Sequence, residues 1–340
     1  MAEYFVNRQA IKKEVGAFVK ASKDQKLLKL FIVKLLTIYI LFFSIFYLTD
    51  WLVSHQKLNY LLDFLPFFIF FIGCLQYVIA QAAHEAIHFY IDYEDKTWLE
   101  IVCSCLVLYP IGITKNFKKN HMLHHTHFGD LEKDPDQITY MNYPTSKLNF
   151  WIWLIESLLG LSTLKRIVGL IFSIKKSNKK KECQLNLRFE FIKLVLIQGI
   201  IFFAFLTLGM WWSYFSLWIL PLTIITKTVI NIRLLAEHSP FFCQEAALRS
   251  FLKKDWGTNL LGVFGFQYHA EHHLFPGVLC NHLKNVSEII VGHATNAQKS
   301  PHDIKIELFD MGYIQFLIKF YSSLPTYSLK ENHDDSTIHM

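Results

Sequence analysis

Three short clusters of histidine, each following a long apolar run, constrain this sequence more than any other feature. They read H-E-A-I-H at residues 84–88, H-M-L-H-H at 121–125 and H-A-E-H-H at 269–273, and one further histidine stands alone at position 238. Side chains at positions i, i+3 and i+4 of a helix share one face, so each cluster can direct two or three imidazoles to one point. The candidate ligands are His84, His88, His121, His124, His125, His238, His269, His272 and His273.

Imidazole is the commonest protein ligand for transition metals. No single ion accepts nine of them, so the pattern predicts two metal ions side by side at the edge of a membrane. His127, one turn beyond His124, fits a packing or supporting role better than a tenth ligand position. Glu85, Glu237 and Glu271 each neighbour a candidate ligand. They are interpreted either as buried carboxylates that fix imidazole tautomers or as ordinary solvated surface.

The composition is typical of a membrane protein. Of the 340 residues, 52% are hydrophobic and only 18% are charged, and the mean hydropathy is +0.27. The net charge of +6 comes from lysines and arginines that flank apolar segments, which argues against nucleic-acid binding and for positive-inside topology. Six cysteines without a C-x-x-C pair read as buried small residues rather than as a disulfide framework or a zinc site.

The apolar runs predict an all-α integral membrane fold with four transmembrane helices in two hairpins. A crossing needs roughly 20 apolar residues. The runs that meet this length are residues 27–53, 61–83, 191–210 and 212–230. Residues 148–174 predict a helix in the headgroup plane, and residues 97–114 predict an interfacial or re-entrant segment.

Lysine and arginine set the predicted orientation. The link at residues 54–60 contains only Lys57, and the turn of the later hairpin contains none. The remaining basic residues lie on the other side, which is therefore cytoplasmic and carries both termini and a histidine-rich cap. The predicted organisation is a cytoplasmic N-terminal segment (1–26), one membrane domain (27–329) and a polar tail (330–340).

The first cluster has a competing interpretation. H-E-x-x-H is the motif of zinc proteases in which the glutamate is the general base. A protease of this kind needs only one further protein ligand, which would leave the other clustered histidines without a role. Helix-end histidines that merely bond to their neighbours would not explain two copies of H-x-x-H-H. A membrane zinc metalloprotease and a haem-carrying or structural membrane protein are kept as distant alternatives.

The boxes and their surroundings resemble the membrane fatty acid desaturase superfamily of di-iron enzymes. The resemblance rests on the spacings H-x3-H, H-x2-HH and H-x2-HH, on G-D at 129–130 and D-P-D at 134–136, and on Q-Y-H-A-E-H-H-L-F-P-G-V at 267–278. It covers about residues 27–286. Membrane sterol and fatty acid hydroxylases share the boxes in a more compact arrangement.

The resemblance implies that the nine histidines ligate two iron ions, with O2 as co-substrate, and that the product is a double bond in a fatty acyl or lipid chain. It names no catalytic side chain. A lipid or carotenoid hydroxylase or ketolase of the same fold is the main alternative. The sequence has no dinucleotide fingerprint, fused haem-binding motif or C-x-x-C pair, so an external donor such as ferredoxin or cytochrome b5 with its reductase is expected. Lysines that could steer such an acidic carrier are Lys115, Lys118, Lys119 and those within residues 175–181.

Overall fold

A computed structural model describes residues 2–22, 25–89, 115–130, 132–176, 181–240, 247–253, 255–300 and 303–326. The described chain is mostly helical, at 75%. The predicted re-entrant segment (97–114), the polar tail (330–340) and most of the lysine run at 175–181 lie outside it.

The described elements follow here in chain order. They are β1 (Ala2–Asn7), α1 (Arg8–Ala21), α2 (Gln25–Ser54), α3 (Leu58–Phe89), α4 (Lys115–His127), α5 (Gln137–Met141), α6 (Lys147–Leu158), α7 (Leu161–Lys176), α8 (Lys181–Thr207), α9 (Trp211–His238), β2 (Arg249–Phe251), α10 (Trp256–Leu261), α11 (His269–Leu274), α12 (Leu283–His293), β3 (Asp303–Phe309) and α13 (Tyr313–Ser323).

Three helices of the described chain are long and apolar enough to cross a membrane. They are α2 (over Lys29–Ser54), α3 and α9. The fourth predicted crossing falls in α8, whose described apolar part, Ile192–Thr207, is shorter than the roughly 20 residues that a span needs. Large apolar side chains such as Ile40 and Phe43 are about two-thirds exposed (64% and 66%), as expected where lipid replaces water.

Helices α3 and α9 approach closely near the middle of their length. A Cβ added to Gly73 would lie 2.4 Å from the Cβ of Ile225, so only glycine fits there. Helix α9 contains π-helical turns, Tyr214–Ile219 and Leu222–Thr226, on either side of Pro221, which has no N–H for the helical ladder. Gln76 donates to the Trp218 carbonyl at 2.9 Å. The crossing thereby fixes how the two helices run toward the first box and His238.

A small sheet departs from the all-α prediction. Its strand order is β1-β3-β2, with β1 antiparallel and β2 parallel to β3. The sheet joins the two ends of the chain, since Ala2 lies opposite Leu308 and Asn7 opposite Asp303. A pairing between segments about 300 residues apart leaves no local apolar pattern long enough to reveal it, which is why the prediction missed it.

The N-terminal segment packs into the apolar core beside this sheet. Val6, Ile11 and Val15 are buried in the same apolar core as Leu274 and Val278, which follow the third histidine box. The segment at 148–174, predicted as one helix, forms two, because Gly160 turns the chain between α6 and α7 with φ +72°. Whether these helices lie in the headgroup plane stays a prediction.

Candidate metal centre

The nine predicted histidines converge on one place where four helices meet. The first box occupies the last turns of α3, the second lies on α4, His238 is the last residue of α9, and the third box is α11 itself. Ring centroids of His84 and His121 lie 4.3 Å apart, and those of His238 and His269 lie 4.6 Å apart. Side chains from positions 84 to 273 therefore share one buried cluster.

The cluster divides into two groups. The five-histidine group comprises His84, His88, His121, His125 and His272, and one ring nitrogen of each lies within 4.8 Å of those of the others. The four-histidine group contains His124, His238 and His273, which meet the same criterion, and His269, whose Nε2 lies 2.9 Å from Nε2 of His238. His127 lies outside both groups.

Helical geometry explains this division. Residues i and i+4 point the same way, and His121 and His125 both belong to the five-histidine group. Adjacent residues on a helix point about 100° apart, so the H-H pairs of boxes two and three serve different groups. His125 and His273 come from opposite groups, and their rings meet at 4.2 Å. The two adjacent histidines of each H-x-x-H-H motif thus place one ring in each of the two groups.

Several ring nitrogens of the cluster have no hydrogen-bond partner among the described residues. Both nitrogens of His272 and His273 are buried without a hydrogen bond, as is Nδ1 of His84. Burial, reinforced by neighbouring imidazoles, holds the pKa of His121, His272 and His273 well below the ordinary histidine value. These rings are therefore neutral at pH 7 and offer lone pairs, which is the state that binds metals.

The spacing of these nitrogens fits metal ions. Nε2 of His121 lies 3.0 Å from Nε2 of His88 and 2.9 Å from Nε2 of His125. Two nitrogens that bind one ion at about 2.1 Å and at a right angle lie about 3 Å apart. A buried set of neutral imidazoles at this spacing, with unpartnered nitrogens, suits two cations better than a polar core without metal.

The three predicted supporting glutamates are all buried, but they have different partners. Oε2 of Glu237 lies 3.4 Å from Nδ1 of His269, and its Oε1 accepts hydrogen bonds from Arg233 (2.6 Å) and Tyr313 (2.5 Å). Glu237 therefore lies against the four-histidine group.

Glu85 and Glu271 bind other parts of the fold. Glu85 accepts from the backbone N–H of Cys280 at 3.0 Å and from its thiol at 2.7 Å. Glu271 accepts from the hydroxyl of Ser250 in β2. These two carboxylates tie the first and third boxes to the loop after α11 and to the sheet.

Sequence reasoning missed the role of Asp134. Its Oδ1 accepts from Nδ1 of His124 at 2.9 Å, and its Oδ2 accepts from the hydroxyl of Tyr140 at 2.5 Å. Burial raises the pKa of the Asp134 carboxyl, but the hydrogen bonds from His124 and Tyr140 outweigh it and leave the pKa below the ordinary value. The D-P-D motif, which begins ten residues after His124, is the sequence feature that could have indicated this contact.

The fold and the site together define a helical protein with a multi-histidine centre at the ends of helices that are long and apolar enough to cross a membrane. The sequence matches the fatty acid desaturase family over residues 61–302, more than half of the chain, and the protein belongs to this family. It is similar to dihydrorhizobitoxine desaturase from Bradyrhizobium elkanii, with 28% identity over 230 residues, or 63% of this chain. The chain spans 64% of that relative's length.

Family membership confirms the resemblance inferred from the histidine boxes. The three apolar helices of the described chain are consistent with a membrane protein of this family. Membership also favours the desaturase resemblance over the zinc-protease interpretation of residues 84–88.

Proposed function

We propose that the protein is an O2-dependent di-iron desaturase that introduces a double bond into a fatty acyl or other lipid chain. The observation that carries the proposal is the arrangement of nine buried or partly buried histidines in groups of five and four within a chain of the desaturase family. An unactivated C–H bond is beyond the reach of acid–base chemistry by side chains, and a bound di-iron centre supplies the oxidising power.

The five-histidine group would hold one iron and the four-histidine group the other. The protein itself supplies neutral imidazoles and negative charge, and it keeps water away from the site. Phe266 packs against the His84 ring at 4.5 Å, and Phe128 packs against His238 at 5.0 Å. These apolar rings exclude water from the cluster, which strengthens electrostatic interactions inside it and prevents side reactions.

The membrane arrangement we propose has four crossings in two hairpins, with α8 as the fourth. Its pairing with α9 supports this, since Phe202 meets Tyr214 at 5.1 Å and the Tyr214 hydroxyl donates to Gln198 at 3.3 Å. Both termini and all histidine boxes then face the cytoplasm, in line with the distribution of lysine and arginine.

The proposed partners are a lipid or acyl substrate, membrane lipids and an external reductant. Within these 340 residues the sequence has no dinucleotide fingerprint and no C-x-x-C pair, so electrons would come from ferredoxin or from cytochrome b5 with its reductase.

Product analysis tests the proposal. The purified protein, reconstituted in lipid with O2, a reductase and either carrier, should convert saturated lipid into a product lighter by two hydrogen atoms, and the His272→Ala variant should not. A product heavier by one oxygen atom would make the protein a hydroxylase. Because the relative is named as a desaturase of dihydrorhizobitoxine, the assay should test water-soluble cell extracts as well as lipids as substrates. The desaturase assignment would be refuted if neither the lipids nor the water-soluble extracts gave a product with either carrier.

A further inference from the structure

Carboxylate contacts to the histidine rings are distributed unequally between the two groups. Asp134 binds His124, and Glu237 lies against His269, and both histidines belong to the four-histidine group. In the described part of the chain, no carboxylate lies within hydrogen-bonding distance of a ring of the five-histidine group. Arg233 pairs with Glu237 and balances its charge, so the two halves of the centre differ by the charge of Asp134 as well as in the number of imidazoles.

Hydrogen bonds hold both carboxylate oxygens of Asp134 in place. Its side chain is fully buried, and Oδ1 accepts from the backbone N–H of Asp136 at 2.9 Å in addition to His124. Oδ2 accepts from the Tyr140 hydroxyl and from the backbone N–H of Gly129 at 3.3 Å. These contacts fix the orientation of the carboxylate that accepts the hydrogen bond from His124.

This geometry determines the tautomer of His124. A carboxylate only accepts hydrogen bonds, so Nδ1 of His124 carries the proton and the lone pair is on Nε2. Nδ1 is occupied by Asp134, which leaves Nε2 as the nitrogen available to the four-histidine group.

We propose that Asp134 is a positioning residue that fixes the tautomer and orientation of His124 and places a fixed negative charge beside the four-histidine position. The inference rests on the proposed function, because it assigns the charge to one of two metal positions. It follows that the two positions are inequivalent and that the four-histidine position depends on Asp134 to retain its ion.

Asp134 also shapes the loop through its backbone contacts, and variants separate the two roles. Asp134→Asn keeps the size and one acceptor oxygen but removes the charge and replaces the other accepting oxygen by an NH2 donor, whereas Asp134→Glu keeps the charge. Asp130→Asn is the matched control, since Asp130 lies in the same loop and accepts from the backbone N–H groups of Glu132 and Lys133 without touching a candidate ligand.

The experiment measures iron per chain, iron retention against a chelator, the Mössbauer spectrum, and thermal unfolding of the iron-free proteins. We expect Asp134→Asn to hold one of the two irons about 10–100-fold more weakly, with one of two spectral components diminished. Asp130→Asn should behave as the parent, and Asp134→Glu should recover part of the retention. Iron-free Asp134→Asn should unfold only slightly below the parent temperature, because it loses one acceptor for the loop.

Two results would overturn the proposal. One is an Asp134→Asn variant that keeps both irons with parental affinity and spectrum. The other is iron loss matched by an equal fall in the stability of the iron-free protein, which would make Asp134 a loop residue only. Failure of the parent to bind iron would instead refute the proposed function, so the two failures are distinct.

Discussion

At the scale of single residues, the doubled histidines explain the H-x-x-H-H motif. His124 and His125 are neighbours in sequence but belong to different groups, as do His272 and His273. The first histidine of each motif joins the same group as the last one, so the doubling lets one motif give two histidines to one group and one to the other.

Separate replacement of the two halves of a pair tests this division. We expect His124→Ala and His125→Ala each to abolish turnover, because each removes a ligand from a buried cluster, and to deplete different components of the iron spectrum. His127→Ala is the control and should keep most activity, since His127 lies outside both groups. Unchanged turnover after combined alanine replacement of His269, His272 and His273 would contradict the ligand assignment.

At the scale of elements, β2 braces two histidine-bearing helices. Arg249, fully buried, pairs with Glu307 of β3 at 2.5 Å and donates to the carbonyl of Ala236, near the end of α9. Next along the strand, the Ser250 hydroxyl accepts from the backbone N–H of Ala270 in α11 at 2.9 Å. The strand thus links His238 to the third box and, through β3, to both ends of the chain.

Breaking the buried ion pair should destabilise this brace. Glu307→Gln leaves the Arg249 charge uncompensated, which costs about 3–5 kcal/mol in buried pairs. Unfolding of the purified protein in detergent measures the loss. Glu288→Gln is the matched control, because Glu288 forms an exposed pair with Lys284 at 3.9 Å and should leave stability unchanged. Equal free energies of unfolding for the two variants would show that the buried pair does not stabilise the fold.

The turn before the third box depends on a glycine. Gly265 has φ +96°, and a Cβ there would lie 2.7 Å from the carbonyl oxygen of Cys280. Gly265→Ala should therefore cost about 1–3 kcal/mol and lower iron content, because the turn sets the start of α11. Gly292→Ala, inside α12 with open space around it, should be neutral or stabilising in the same unfolding assay. A Gly265→Ala variant as stable as the parent would disprove the strain argument.

Local pattern predicted some elements better than others. The apolar runs at 27–53, 61–83 and 212–230 correspond to α2, α3 and α9, because length and hydropathy alone decide a crossing. The helices extend farther than the runs, so that α3 carries the first box and α9 ends at His238. The sheet was not predicted because its strands come from distant segments of the sequence. The contact of Asp134 was not predicted because a D-P-D motif does not indicate which side chain the aspartate binds.

At the scale of the whole molecule, the sequence identifies the nine candidate histidines but not their partition into two groups. Spacing shows which histidines share a helix face, whereas the packing of α3, α4, α9 and α11 decides which faces meet. His272 thus joins the histidines of the first and second boxes, while His269 and His273 join His238.

The proposed topology predicts the accessibility of two exposed sites. His55 lies in the turn between α2 and α3, and Asn281 lies after the third box. In intact cells, His55→Cys should react with a membrane-impermeant maleimide, and Asn281→Cys should react only after the membrane is opened. Reaction of both from the same side would exclude the two-hairpin arrangement with a cytoplasmic cap.

Metal analysis of the purified protein, combined with its absorption spectrum, tests the central claim most directly. Nine buried or partly buried imidazoles in groups of five and four predict two irons per chain and no Soret band. One zinc per chain would support the protease interpretation of residues 84–88, and a Soret band would indicate haem. Either result, or a protein that retains no iron when purified from iron-supplied cells, would contradict a di-iron centre.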